Sequence, residues 1–176
     1  IIVASHMGRP EGKPDPRFSL ARVADRLAEL LGRKVEFAAD CIGPDAVSKA
    51  GRLKDGQLLL LENLRFYPEE KKNDDNFSKQ LAALCDIYVN NAFAVSHRDQ
   101  ASVTGIPKFA PQKAAGFLLE KEVQNYTDSV EDPDRPLVAV IGGAKVSSKL
   151  AALKNMLRFV DKMVIGGAMA NTFLKS

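Results

Sequence analysis

The sequence predicts an α/β protein built on parallel sheets, and two observations carry that expectation. Gln57–Leu61 (QLLLL) is a continuous apolar run, as expected of a strand covered on both faces. Such runs alternate along the chain with segments whose apolar residues recur at helical spacing, the pattern of repeated strand, loop and helix.

Taken in order, Ile1–Ala4 reads as a short strand, followed by a loop rich in Gly and Pro (HMGRPEGKPDP). Leu20, Val23, Ala24, Leu27, Leu30 and Leu31 then define one helical face, with Ser19 placed as N-cap and Gly32 as stop. Val35–Phe37 is a brief strand and GPDAVSKA a short helix. After the Gln57–Leu61 strand comes a helix near Asp75–Leu84 and a strand at Ile87–Val89. Phe117–Val130 is one amphipathic helix, followed by the polar turn EDPDRP. A new unit begins with the strand PLVAVI, the turn GGAK, a helix from about Val146 to Phe159, the strand MVI, and GGAMANTF as a turn into a helix.

Composition narrows the function classes. The 176 residues are 45% hydrophobic, and 25 Lys+Arg against 22 Asp+Glu leave a net charge of only +3. That balance is too mild to imply nucleic acid or an anionic membrane as partner. No apolar run approaches the roughly 18 residues of a spanning helix, so a soluble, cytoplasmic protein is expected. Cys41 and Cys85 make no disulfide framework, and both are expected to be reduced, with Cys85 in the core. Ile1 already lies in a strand-like run and Ser176 follows the helical NTFLK, so the chain reads as a fragment cut at both ends.

Cationic residues follow the predicted strands: His6 and Arg9 after IIVAS, Arg65 after LLLLEN, and His97 with Arg98 after IYVNNAFAVS. The C-terminal edge of a parallel sheet is where ligands bind, so these loops are expected to share one crevice. Guanidinium forks suit carboxylate and phosphate, which implies a small, multiply charged anion. Any one arginine alone reads first as a solvated loop charge; Gly8 and Pro10 around Arg9 argue for a built loop. His6 and His97 stay open between ligand donor and strand packing.

A second candidate is IGGAKVSSK, Ile141–Lys149. Here a strand ends in Gly142–Gly143, and a helix start suits phosphate, with Lys145 at its first turn and Lys149 one turn later on the same face. The stretch is neither a Walker A loop nor GxGxxG, and it reads also as a tight turn with solvated lysines. Gly166–Gly167–Ala168 admits either a flat ring on the backbone or close helix packing. Glu62, Asp86 and Asp99 are not spaced as a carboxylate dyad, and no His/Cys cluster has metal-ligand spacing.

SHMGRP, LLENLRF, NNAFAVSHR, IGGAKVSSK and GGAMANTFLK resemble, in order and separation, the motif series of the phosphoglycerate kinase family, across essentially all of the chain. The resemblance implies two Rossmann-like parallel-sheet domains, each a three-layer αβα arrangement. Residues 1–115 would be most of the N-terminal phosphoglycerate-binding domain, 116–135 the interdomain hinge helix and linker, and 136–176 the start of the nucleotide domain. His6, Met7, Gly8, Arg9, Arg65 and Arg98 then match the site for 3-phosphoglycerate or 1,3-bisphosphoglycerate. Gly143, Ala144, Lys145, Lys149, Gly166 and Gly167 match the ADP/ATP side, with Lys149 assigned to the phosphoryl group in flight.

The resemblance further implies a cytoplasmic glycolytic monomer using Mg²⁺ with the nucleotide, the metal's protein contact lying outside this chain. The family's other substrate contacts would precede Ile1 or follow Ser176, so this chain alone is expected to be catalytically incomplete. A non-catalytic anion-binding fragment is the alternative. A nicotinamide-dependent dehydrogenase is set aside, because GxGxxG with a ribose-binding acid is lacking. Ala94, Val95 and Ala168 stand where the family usually has glycine, threonine and glycine.

Overall fold

A computed structural model describes residues 1–131, 133–143 and 149–175. They form two compact units, Ile1–Leu119 and Glu120–Ser176.

The first unit runs β1 (Ile2–Val3), α1 (Ala21–Leu31), β2 (Val35–Phe37), α2 (Pro44–Gly51), β3 (Leu58–Leu60), α3 (Pro68–Lys72), α4 (Asp75–Ala82), β4 (Ile87–Asn90), α5 (Ile106–Phe109) and β5 (Gln112–Ala115). Helix α6 (Phe117–Val130) crosses the boundary between the units, and β6 (Val138–Ile141), α7 (Leu150–Met156), β7 (Lys162–Ile165) and α8 (Gly167–Lys175) complete the second. Strand pairing is parallel throughout, in the order β1-β3-β2, then β4-β5, then β6-β7.

β3 explains the layering. Strand side chains alternate between faces, and here Leu59 and Leu61 enter one apolar cluster with Cys41, Phe77 and Leu81 while Leu60 enters another with Leu20 and Ala24. A strand apolar on both faces needs cover on both, which gives the three-layer αβα arrangement. Each buried leucine contributes roughly 1.5–3 kcal/mol.

Several local expectations are corrected. Helix α1 is bounded by Leu20, one residue past Ser19, and the Ser19 hydroxyl still accepts the Ala21 N–H at 3.2 Å, while the Glu62 carboxylate takes the Leu20 N–H at 2.8 Å and the Ser19 hydroxyl at 2.7 Å. Gly32 ends α1 as expected, left-handed at φ 61°. Cys41 is fully buried, whereas Cys85 is only half-buried, its thiol facing the Ala82 carbonyl at 3.6 Å. Helix α7 begins at Leu150, so Lys149 occupies the cap position and does not lie a turn inside the helix.

Candidate functional site

The edge of the first sheet is assembled around a buried polar belt. β1 and β3 are neighbours, so the chain leaving β1 at Ala4 and the chain leaving β3 at Leu61 emerge side by side. Glu62, Asn63 and Arg65 are all at most 8% exposed. Buried polar groups require partners, and Asn63 finds them in the first loop: its Nδ2 donates to the Met7 carbonyl at 2.8 Å and to the Phe18 carbonyl at 2.9 Å. Its Oδ1 accepts the Arg65 N–H at 3.0 Å, which starts a 3-10 turn over Leu64–Phe66. Arg65 Nη1 then donates to the Gly8 carbonyl at 2.9 Å.

Gly8 is required twice at this point. Its φ of +64° is left-handed, and a Cβ would collide with the Phe18 ring. Met7 gives its carbonyl to this network while its side chain packs on the apolar cluster of Leu20, Ala24 and Leu60.

Electrostatics bring the expected cations together. Burial, then Arg98, and in smaller part Arg9, hold the Arg65 guanidinium below its ordinary basicity, with Glu70 acting in the opposite sense. Burial first, then Arg65 and Arg98, likewise push the His6 imidazole below its ordinary value. Near neutral pH His6 is therefore uncharged, with one donor and one acceptor nitrogen. Among the described residues, no carboxylate lies within ion-pair distance of Arg9, Arg65 or Arg98. Arg65 Nε is buried with no partner there. His97 is exposed and forms no described hydrogen bond.

The Arg98 loop leaves β4 through a turn in which Asn90 Oδ1 accepts the Ala92 N–H at 3.0 Å and Ala92 O accepts the Ser96 hydroxyl at 3.0 Å. Ala94 and Val95, two of the departures from the family pattern, lie in a 3-10 turn, Phe93–Val95. The following residue pair also matters: Asn91 Oδ1 accepts the Leu118 N–H at 2.8 Å and so caps the start of α6.

In the second unit, β6 and β7 end together, and the Gly166 N–H donates to the Ile141 carbonyl at 2.8 Å. This sets Gly142–Gly143 beside Gly166–Gly167. Lys149 Nζ donates to the Gly142 carbonyl at 3.0 Å, and a Cβ on Gly143 would come within 2.5 Å of that ammonium. Gly167 opens α8 with a left-handed φ of +64° and open space beyond it. The exposed ammonium, two glycine turns and the first N–H groups of α8 thus share one edge. Ala144 and Lys145, also expected there, lie outside the described residues.

Sequence reasoning missed the buried carboxylates. Glu62 holds the first loop, and Glu70, 1% exposed, accepts from both the N–H and the hydroxyl of Ser102. Burial pushes the Glu70 carboxyl up, against the pull of Ser102 and Arg65. A folded value above the unfolded one means the native state holds more protons between them, so stability falls as pH rises through that window. The expected result is a stability gap between wild type and Glu70→Gln that is constant below the ordinary glutamate range and moves in favour of glutamine as pH rises. Urea melts at a series of pH values check it; a gap independent of pH would contradict the raised value.

Fold and geometry together define a parallel-sheet α/β protein with a cation-lined edge in one unit and a glycine-lined edge carrying a lysine in the other. The family model for phosphoglycerate kinase matches residues 1–176, and the chain belongs to that family. Similar curated proteins include phosphoglycerate kinases from Desulforapulum autotrophicum, 61% identical over 100% of this chain and 45% of the relative, and from Desulfosudis oleivorans, 60% identical over 99% and 44%. The chain therefore spans less than half the length of these relatives. Among solved structures, a phosphoglycerate kinase from Coxiella burnetii shares 44% identity with a TM-score of 0.85, over 99% of this chain and 43% of that one. Another, from Pyrococcus horikoshii, shares 34% identity with a TM-score of 0.87, over 99% of this chain and 44% of that one.

Proposed function

We propose that this chain is part of a phosphoglycerate kinase, which moves a phosphoryl group reversibly between 1,3-bisphosphoglycerate and ADP, giving 3-phosphoglycerate and ATP. The observation that carries the reading is the gathering of Arg9, Arg65, Arg98 and His6, from the loops that leave β1, β3 and β4, with no described carboxylate paired to the arginines. Such a cluster is electrostatically unfavourable when empty and suits a triose phosphate, whose phosphate and carboxyl oxygens accept forked hydrogen bonds. The unpartnered Arg65 Nε supports the same assignment.

The nucleotide is assigned to the second unit, where Gly143, Lys149, Gly166 and Gly167, with Ala144 and Lys145 outside the described residues, line the polyphosphate and the ring. In the forward direction the bond from the C1 carboxyl oxygen to phosphorus breaks, and a β-phosphate oxygen of ADP forms the new bond to phosphorus. The protein's contribution is position and charge, with no covalent intermediate. Lys149 is the residue assigned to balance charge on the moving group.

Mg²⁺ would arrive with the nucleotide and offset charge on its phosphates. Among the described residues no cluster of three or more His, Cys, Asp or Glu gathers as a metal cage, so no residue here is assigned to hold it.

We assign residues 1–115 to the phosphoglycerate side, 116–135 to the hinge and 136–176 to the nucleotide side. We place the enzyme in the cytoplasm as a monomer working on small molecules, without nucleic acid or membrane. No described helix is long and apolar enough to cross a membrane, and the charge of +3 is mild.

The test is ADP release by the purified full-length protein supplied with ATP and Mg²⁺. Release that depends on added 3-phosphoglycerate is expected. Release that is indifferent to it, or none with both substrates present, would overturn the reading.

A further inference from the structure

The arginines of the phosphoglycerate site come from separate segments, and one buried carboxylate joins two of those segments. Glu70 lies on α3, five residues after Arg65; Ser102 lies in a π-helical turn, Ala101–Gly105, four residues after Arg98. Glu70 Oε1 accepts the Ser102 hydroxyl at 2.5 Å and Oε2 accepts the Ser102 N–H at 3.0 Å. Asn73, just past α3, adds a second tie: its Nδ2 donates to Asp99 Oδ1 at 2.6 Å and to Thr104 Oγ1 at 3.0 Å. The Tyr88 hydroxyl, from β4, donates to the Ser102 carbonyl at 2.7 Å. The stretch directly after Arg98 is thus gripped at residues 99, 102 and 104.

Physical need for such a grip follows from charge. Arg98 disfavours the charged form of Arg65, and a loop free to move would relax outward until that repulsion fell. Apolar packing does not hold the Arg98 loop itself, because Phe93 is 42% exposed and Ala94 is exposed. A carboxylate with both oxygens engaged is strong and directional.

We propose that Glu70 is a positioning residue for the phosphoglycerate site: through Ser102 it fixes the Arg98 loop at the separation from Arg65 that the anionic ligand requires. It touches no ligand and acts through Arg98. The proposal rests on the functional reading above. Because the tie is made of hydrogen bonds, glutamine serves in place of glutamate: its amide oxygen accepts the Ser102 N–H and its amide nitrogen donates to the Ser102 hydroxyl oxygen. Alanine makes neither bond.

The experiment measures KM for 3-phosphoglycerate and for Mg-ATP in the full-length protein, for wild type, Glu70→Ala, Glu70→Gln, Arg98→Ala and the double variant Glu70→Ala/Arg98→Ala. Glu70→Ala is expected to raise KM for 3-phosphoglycerate about tenfold and leave KM for Mg-ATP within about twofold. Glu70→Gln is expected to restore the wild-type value, and Glu70→Ala to add nothing once Arg98 is gone. Equal changes in both KM values, no rescue by glutamine, or an undiminished effect without Arg98 would each overturn the proposal. Should Glu70→Ala fail to fold, Ser102→Ala removes only the hydroxyl arm and is expected to raise KM for 3-phosphoglycerate about threefold; an unchanged value there overturns it too. A wild-type protein inactive toward 3-phosphoglycerate would instead strike the functional reading, a distinct result that removes this proposal with it.

Discussion

Replacing Lys149 by alanine is expected to lower kcat about 10²- to 10³-fold while leaving affinity for 3-phosphoglycerate intact. The size of the effect follows from where charge develops. The phosphoryl group in transit carries its negative charge on three oxygens, and a fixed ammonium near them is worth most when charge is spreading. Lys149 is held by the Gly142 carbonyl at 3.0 Å, and a Cβ at position 143 would press within 2.5 Å of the ammonium and shift it. The side chain is exposed, so truncation opens no core cavity, and water replaces it at the Gly142 carbonyl. Folding is therefore expected to be unchanged, and steady-state kinetics with a melting curve check both halves. Unaltered kcat would remove Lys149 from the mechanism.

The second large effect is expected on binding. Arg65→Ala should weaken 3-phosphoglycerate about 10- to 100-fold, the worth of one or two charge-assisted hydrogen bonds, with little change for Mg-ADP. Two losses combine in it. The fork facing the ligand disappears, and the Gly8 carbonyl loses the Nη1 that fixes the first loop. Removal of the repulsion from Arg98 and Arg9 partly offsets the lost packing, so stability is expected to change less than affinity. Arg65→Lys should rescue little, because an ammonium offers no planar fork. Isothermal titration with each ligand checks this; equal losses for both would contradict the assignment of Arg65 to one side.

The elements legible in the sequence were those whose side chains report their environment. Helix α6 spans Phe117–Val130 as its periodicity predicts, and β3 falls within the apolar run that announced it. Strand β5 was illegible: Gln112–Ala115 alternates nothing, stays exposed, and exists through backbone pairing with β4. The π-helical turn at Ala101–Gly105 likewise has no periodic signature, since it is fixed by Glu70 and Asn73 from another segment.

At the candidate site the charged loops were visible because arginine and glycine stand out after apolar strands. The buried carboxylates were not. Glu69 and Glu70 are adjacent in PEEKK, and only tertiary placement makes Glu70 the buried one. Glu62 gave a weak signal, a carboxylate directly following a fully apolar strand, which has to be paired if it is buried. At Ser19 the capping role was legible, its hydroxyl accepting the Ala21 N–H at 3.2 Å, and the partner it donates to, Glu62, 43 residues away, was not.

The central claim is that each ligand belongs to its own unit, the triose to the guanidinium cluster and the nucleotide to the glycine turns. A crossed calorimetric titration of the full-length protein tests it most directly, with 3-phosphoglycerate titrated into Lys149→Ala and Mg-ADP into Arg65→Ala. The account predicts that both affinities stay within about twofold of wild type, as for independent sites. A loss of tenfold or more in either crossed titration would contradict it.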